Sequence, residues 1–145
     1  MLGARNRVGL TEQQIQRCVE AWELICGTAC ELDCSRAARH GSRTYFDESR
    51  VRVVLGADAY PGIGPMANAR MSALACLVHE FSHWERYQLR YRRPVTAPDN
   101  LIDEAETSLR ASFSALLSPR DREDLVEDAR DRLNDWLAAQ TLVKQ

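Results

Sequence analysis

The sequence predicts an α+β domain, mostly helical, with a small antiparallel sheet ahead of a long central helix. Apolar residues recur at helical spacing in several stretches, and two short runs between residues 43 and 55 alternate as strands do. A chain of 145 residues is long enough for one hydrophobic core and too short for a second specificity domain, so residues 1–145 are read as a single unit.

The elements follow in order. Thr11 with Gln14 makes a capping box for a helix carrying Ile15, Cys18, Val19, Trp22, Ile25 and Cys26, which Gly27 ends or dents. A second helical stretch is expected over Ala29–Arg39; if it continues the first, Cys26, Cys30 and Cys34 share one side. Arg43–Asp47 and Arg50–Leu55 read as a β-hairpin, with Val51, Val53 and Leu55 alternating against Arg50, Arg52 and Val54. Pro61, Gly62, Gly64 and Pro65 make Gly56–Asn68 a loop suited to arch over a cleft mouth.

Met71 to about Leu89 is the predicted central helix. Met71, Leu74, Ala75, Leu77, Val78, Phe81 and Trp84 coat more than half its circumference, which marks a core helix. Ser72, Cys76, His79, His83, Arg86 and Arg90 form the remaining stripe. After a loop with Arg92, Arg93, Pro94 and Pro98, a helix capped by Asp99 or Asn100 runs through Leu101, Ile102, Ala105, Leu109, Ser112, Phe113 and Leu116. Ser118 then caps a last amphipathic helix with Pro119 at its first position, carrying Leu125, Val126, Ala129, Leu133, Trp136 and Leu137 to about Gln140 as scaffold.

Composition excludes several function classes. Net charge is −2 and arginines are interspersed with acids, so no nucleic-acid footprint is expected. The longest nearly apolar run, Met71–Val78, falls far short of the ~20 residues of a membrane helix, and Met1–Thr11 lacks a hydrophobic signal core. A soluble, cytoplasmic protein is expected. In that compartment Cys18, Cys26, Cys30, Cys34 and Cys76 stay reduced and pack as small hydrophobes.

The chemistry is concentrated in His79-Glu80-Phe81-Ser82-His83. An HExxH pattern puts two imidazoles on one helical face, with a glutamate beside the first able to take a proton from water. With three histidines in the chain, such a pattern arises by chance well under roughly once in a hundred. A catalytic zinc needs a third protein ligand and an open position. Glu104, one step off the apolar stripe of the following helix, is the expected third ligand. Asp103 and Glu106 compete for the role, as does a thiolate from Cys30 or Cys34, joining or replacing Glu104. Cys76 lies a full turn from His79, where ligation of the same ion is strained.

HExxH followed about 20 residues later by Asp103-Glu104-Ala105 resembles the gluzincin branch of the zincin metallopeptidases. The likeness covers roughly Met71 to Leu116. It implies a minimal zincin-like fold, with His79, His83 and Glu104 as Zn²⁺ ligands and Glu80 as general base in peptide-bond hydrolysis. Such enzymes carry an aspartate one turn beyond the glutamate ligand, to orient a histidine; here that position is Ser108. A metzincin would need a further histidine soon after His83, and Trp84–Asn100 has none.

The substrate expected on this resemblance is a peptide or protein lying extended along the strand that precedes the HExxH helix, here Arg50–Leu55. Tyr60, Arg86, Tyr87 and Tyr91 are the candidate donors to the oxyanion. The chain is also similar, more weakly, to small bacterial metallohydrolases with a Cys-Glu-His-His signature, associated with ubiquitin-like conjugation operons. That similarity implies removal or trimming of a ubiquitin-like modifier.

Overall fold

A computed structural model describes residues 4–92, 94 and 96–144, so Arg93 of the expected loop lies outside the described residues. Helix α1 (Glu12–Cys26) leads to β1 (Glu31–Asp33), β2 (Tyr45–Asp47) and β3 (Arg52–Val54). The short α2 (Ala67–Arg70), the central α3 (Ala73–Gln88), α4 (Asp99–Ala111) and the long α5 (Pro119–Lys144) complete the order. The fold is α+β and mostly helical.

Local signals at several helix ends act as their chemistry dictates. Thr11 and Gln14 bond reciprocally across the first turn of α1, and Ser118 Oγ accepts from Asp121 N–H at the start of α5. Ser72 caps α3 by accepting from Ala75 N–H, which starts the helix at Ala73 and leaves Met71 extended. Helix α4 begins at Asp99 itself, with no side chain capping it, and stops at Ala111. Phe113 and Leu116, expected on its apolar stripe, are instead exposed beyond its end.

The predicted helix over Ala29–Arg39 does not form. Gly27 takes a positive φ of 59°, where a side chain is disfavoured, and its N–H closes α1 onto the Glu23 carbonyl. The Trp22 indole N–H then donates to the Cys30 carbonyl at 2.7 Å in the core, and the chain enters β1. Cys26, Cys30 and Cys34 therefore share no helical face.

The hairpin forms as expected, with β2 antiparallel to β3 in the register Tyr45↔Val54, Phe46↔Val53 and Asp47↔Arg52. Strand β1 adds parallel to the other side of β3, so the sheet is mixed, in the order β1-β3-β2. Both edges of β3 are consequently paired. Arg50–Leu55 is not a strand on which an extended peptide can add.

Helix α3 divides two cores. On one side Cys18 and Trp22 of α1 meet Phe46, Val53, Leu55 and Leu77; on the other, Ala75 and Val78 meet Ala111, Leu117 and Leu125. The 56–68 loop is tied down by the chain's beginning: Arg5 donates to the carbonyls of Asp58, Ala59, Asn68 and Met71. Within it, Ala57–Ala59 make one buried 3-10 turn.

Burial pushes the thiols of Cys18 and Cys30 up to about 11 and that of Cys76 to about 12. At pH 8 the thiolate fraction of a group at 11 is about one in a thousand, so these cysteines should react with a disulfide reagent at least ~100-fold more slowly in the native than in the denatured protein. Because these values are raised above the ordinary 9.0, the stability they reflect is complete below that pH and is lost as pH rises toward 11. Rapid native labelling, or thermal stability unchanged between pH 8 and 10.5, contradicts this packing.

Candidate metal centre

His79 and His83, one turn apart on α3, are both buried, with ring centroids 4.9 Å apart. Helix α4 crosses this face and delivers Glu104 between them: Oε2 lies 3.0 Å from His79 Nε2, and Oε1 lies 2.9 Å from His83 Nε2. The three donor atoms fall within 4.8 Å of one another. Two imidazole nitrogens and one carboxylate, with space before them, match the donor set of a catalytic zinc.

The hydrogen bonds behind the rings set which nitrogen faces the centre. Ser108 Oγ spends its hydrogen on Asp128 Oδ2 (2.7 Å), so it can only accept from His79 Nδ1 at 2.9 Å. Thr107 Oγ1 likewise donates to the Asp103 carbonyl (2.7 Å), so it accepts from His83 Nδ1 at 3.3 Å. With Nδ1 protonated on both rings, the Nε2 lone pairs point at the Glu104 oxygens. Each of these two contacts joins a ring nitrogen lone pair to a carboxylate oxygen and so requires positive charge between them, from a proton or a metal ion.

The acid–base behaviour agrees. Burial pulls the His79 imidazolium down, but the Glu104 hydrogen bond and charge outweigh it, and the net shift is upward. Burial likewise raises the Glu104 carboxyl, and the two imidazoles reverse this and hold it well below the usual range.

Ser108 thus stands where the resemblance puts an aspartate and links His79 to an acid supplied by α5. Asp128 is fully buried and also accepts from Arg132 Nε at 2.8 Å; Arg132 Nη1 lies 3.6 Å from Glu104 Oε2. Burial opposes the Arg132 charge, and Asp128 and Glu104 together hold it protonated. Sequence reasoning missed both residues by treating α5 as scaffold. A signal was present, since Asp121, Asp124, Asp128 and Arg132 recur at helical spacing beside Leu125 and Ala129 on the buried side. Asp121 accepts from Ser72 Oγ and Asp124 from Arg70 Nε, which anchors the stripe to α2 and to the cap of α3.

Residues that competed for ligand or donor roles are engaged elsewhere. Asp103 Oδ1 lies 3.1 Å from Arg86 Nη1, and Glu106 Oε2 accepts from Arg86 Nη2 at 2.7 Å. Arg86 also donates to Thr107 Oγ1 and the Asp103 carbonyl, so it clamps α4 to α3 and is not directed at a substrate. Tyr91 lies under the Arg86 guanidinium, Tyr87 packs on Phe46, and the Tyr60 hydroxyl donates to the Gln14 carbonyl. Cys30 is buried against α1 and the sheet, with Cys34 packed against the same core. None of these tyrosines, nor Arg86, Cys30 or Cys34, lines the cavity before the centre.

That cavity measures about 740 Å³ and brings Glu80, Asn100 and Arg132 together with His79, His83 and Glu104. Its opposite wall is built by residues 4–7 and 41–45, with Asp58 and Asn68 from the 56–68 loop. Cys76 lines it as a thiol that burial keeps protonated. No family model, curated protein or solved structure matches this chain.

Ser108→Ala cuts the link between His79 and Asp128 while leaving Asp128 on Arg132. It should weaken zinc binding by about tenfold or more in a chelator-competition titration, with the circular-dichroism spectrum preserved. Unchanged affinity rules the relay out as an orienting device.

Proposed function

We propose that this chain is a zinc-dependent metallopeptidase of gluzincin type. The observation that carries the reading is the convergence of His79, His83 and Glu104 within 4.8 Å, with Glu80 on the same cavity. His79, His83 and Glu104 would hold a zinc-type ion, which would supply a Lewis acid that lowers the pKa of water toward ~7. Glu80 accepts the proton from the attacking water and returns it to the leaving amine.

Arg132 is the donor for the oxygen that gains charge at the scissile carbonyl. It lies beside Glu104, lines the cavity and remains protonated through Asp128. The substrate reaches the centre past residues 41–45, the stretch leading into β2, in place of β3. A peptide cut in isopeptide form, or the tail of a ubiquitin-like modifier, is compatible with this route and rests on the weaker resemblance alone. Free thiols at all five cysteines fit a cytoplasmic setting, and no helix among the described residues is long and apolar enough to cross a membrane.

Glu80→Gln should retain zinc at near-stoichiometric occupancy while peptide turnover falls by about 10²–10⁴. Glu104→Ala should lose zinc on dialysis, as read by elemental analysis, and Arg132→Gln should lower kcat about 100-fold with zinc retained. Full occupancy in Glu104→Ala removes that residue from the site. Turnover undiminished in Glu80→Gln contradicts the hydrolase reading, and a panel of peptides, esters and non-peptide amides separates a peptidase from another zinc hydrolase.

A further inference from the structure

The wall of the cavity facing the histidines carries charge that the proposed chemistry does not use. Arg5, Arg7 and Arg43 all line it. Arg5 is committed to backbone carbonyls. Arg7 and Arg43 are exposed, and among the described residues neither side chain has an ion pair or hydrogen bond.

Their backbones are fixed. Gly41 N–H donates to the Arg7 carbonyl at 2.8 Å, which joins the two wall segments. Gly56 lies so close to Arg43 that a Cβ there would sit 2.3 Å from its carbonyl carbon, so the segment bearing Arg43 rests directly on the chain leaving β3. Arg7 and Arg43 thus line one cleft from a braced stretch of backbone.

The acids of the cavity do not balance them. Asp103 is matched by Arg86 and Asp128 by Arg132, while the Asp58 carboxylate accepts from Thr44 N–H and offsets one of the three wall arginines at most. Glu104 is held by the imidazoles, and with Glu80 it would offset a dication bound between them. Arg7 and Arg43 remain as surplus positive charge on the exposed part of the lining, in a chain whose net charge is −2. A cleft with charge of one sign draws in the opposite one.

We infer that Arg7 and Arg43 are specificity-determining residues that select a peptide bearing a carboxylate close to the scissile bond, from an Asp or Glu side chain or a free chain end. This rests on the cavity being a peptide site. Guanidinium groups suit it because they pair with carboxylates in bidentate fashion, and a Lys- or Arg-bearing segment meets like charge there.

The test uses the full, zinc-loaded chain carrying Glu80→Gln, so that binding is read without turnover. Fluorescence anisotropy compares labelled peptides of one length: a Glu-rich one with an amidated end, a neutral one with a free carboxylate, a neutral amidated one and a Lys-rich one. The first or second should bind about fivefold more tightly than the neutral amidated peptide at low salt, with the gap narrowing above 0.3 M salt; which of the two gains identifies the source of the carboxylate. Adding Arg7→Gln and Arg43→Gln should bring the ratio close to one, and Arg7→Glu with Arg43→Glu should turn preference toward the Lys-rich peptide, a gain that misfolding does not produce. Equal affinities for all four peptides, or a preference that survives both replacements, overturns the inference. If the unaltered protein cleaves neutral peptides with no acidic preference, only the inference falls; if no peptide binds at all, the peptidase reading falls with it.

Discussion

Glu104 lying between two imidazoles is the interaction on which the rest of this structure turns. Ring nitrogens and carboxylate oxygens approach this closely only where positive charge sits between them, and the same contacts raise His79 and lower Glu104. Helix α4 must therefore cross α3 at one height and one rotation. Arg86 sets that height by bonding the Asp103 carbonyl, Thr107 and Glu106. Helix α5 sets the rotation from behind through Asp128 and Ser108.

Such clustering of buried charge brings little net stability, since desolvating Arg132, Asp128, Asp103 and Arg86 costs several kcal/mol per ion before any pairing offsets it. Stability comes from the two apolar cores on either side of α3, built around Leu77 and Phe46 on one flank and Leu125 and Val78 on the other. The polar face between them is left to hold geometry. A chain of this length supports that division because one helix serves both cores and still presents its third side to the cavity.

Much of this was legible in sequence. HExxH fixed a helical face, and the inward position of Glu104 beside Ala105 found its counterpart, because both rest on local periodicity. The caps at Thr11 and Ser118 were readable from local spacing too, whereas Ser72, expected inside the central helix, turns out to cap it. Residues 29–39 misled because an apolar spacing of four says nothing about an indole 8 residues upstream that captures the Cys30 carbonyl. The central place of β3 was hidden since β1 is three residues long and pairs in parallel across a long separation. Asp128 and Arg132 carried a helical pattern but no hint of which helix they would serve. Arg5 carried none at all, because bonding distant carbonyls leaves no mark on spacing.

Arg5 has a mechanical consequence. One guanidinium gathers carbonyls from both ends of a loop and from Met71, the residue just ahead of the α3 cap. The segment around Arg5 is thereby tethered to the doorstep of the histidine-bearing helix. One wall of the cleft and the entry to α3 thus hang from a single side chain, so Arg5 is a shared anchor for both.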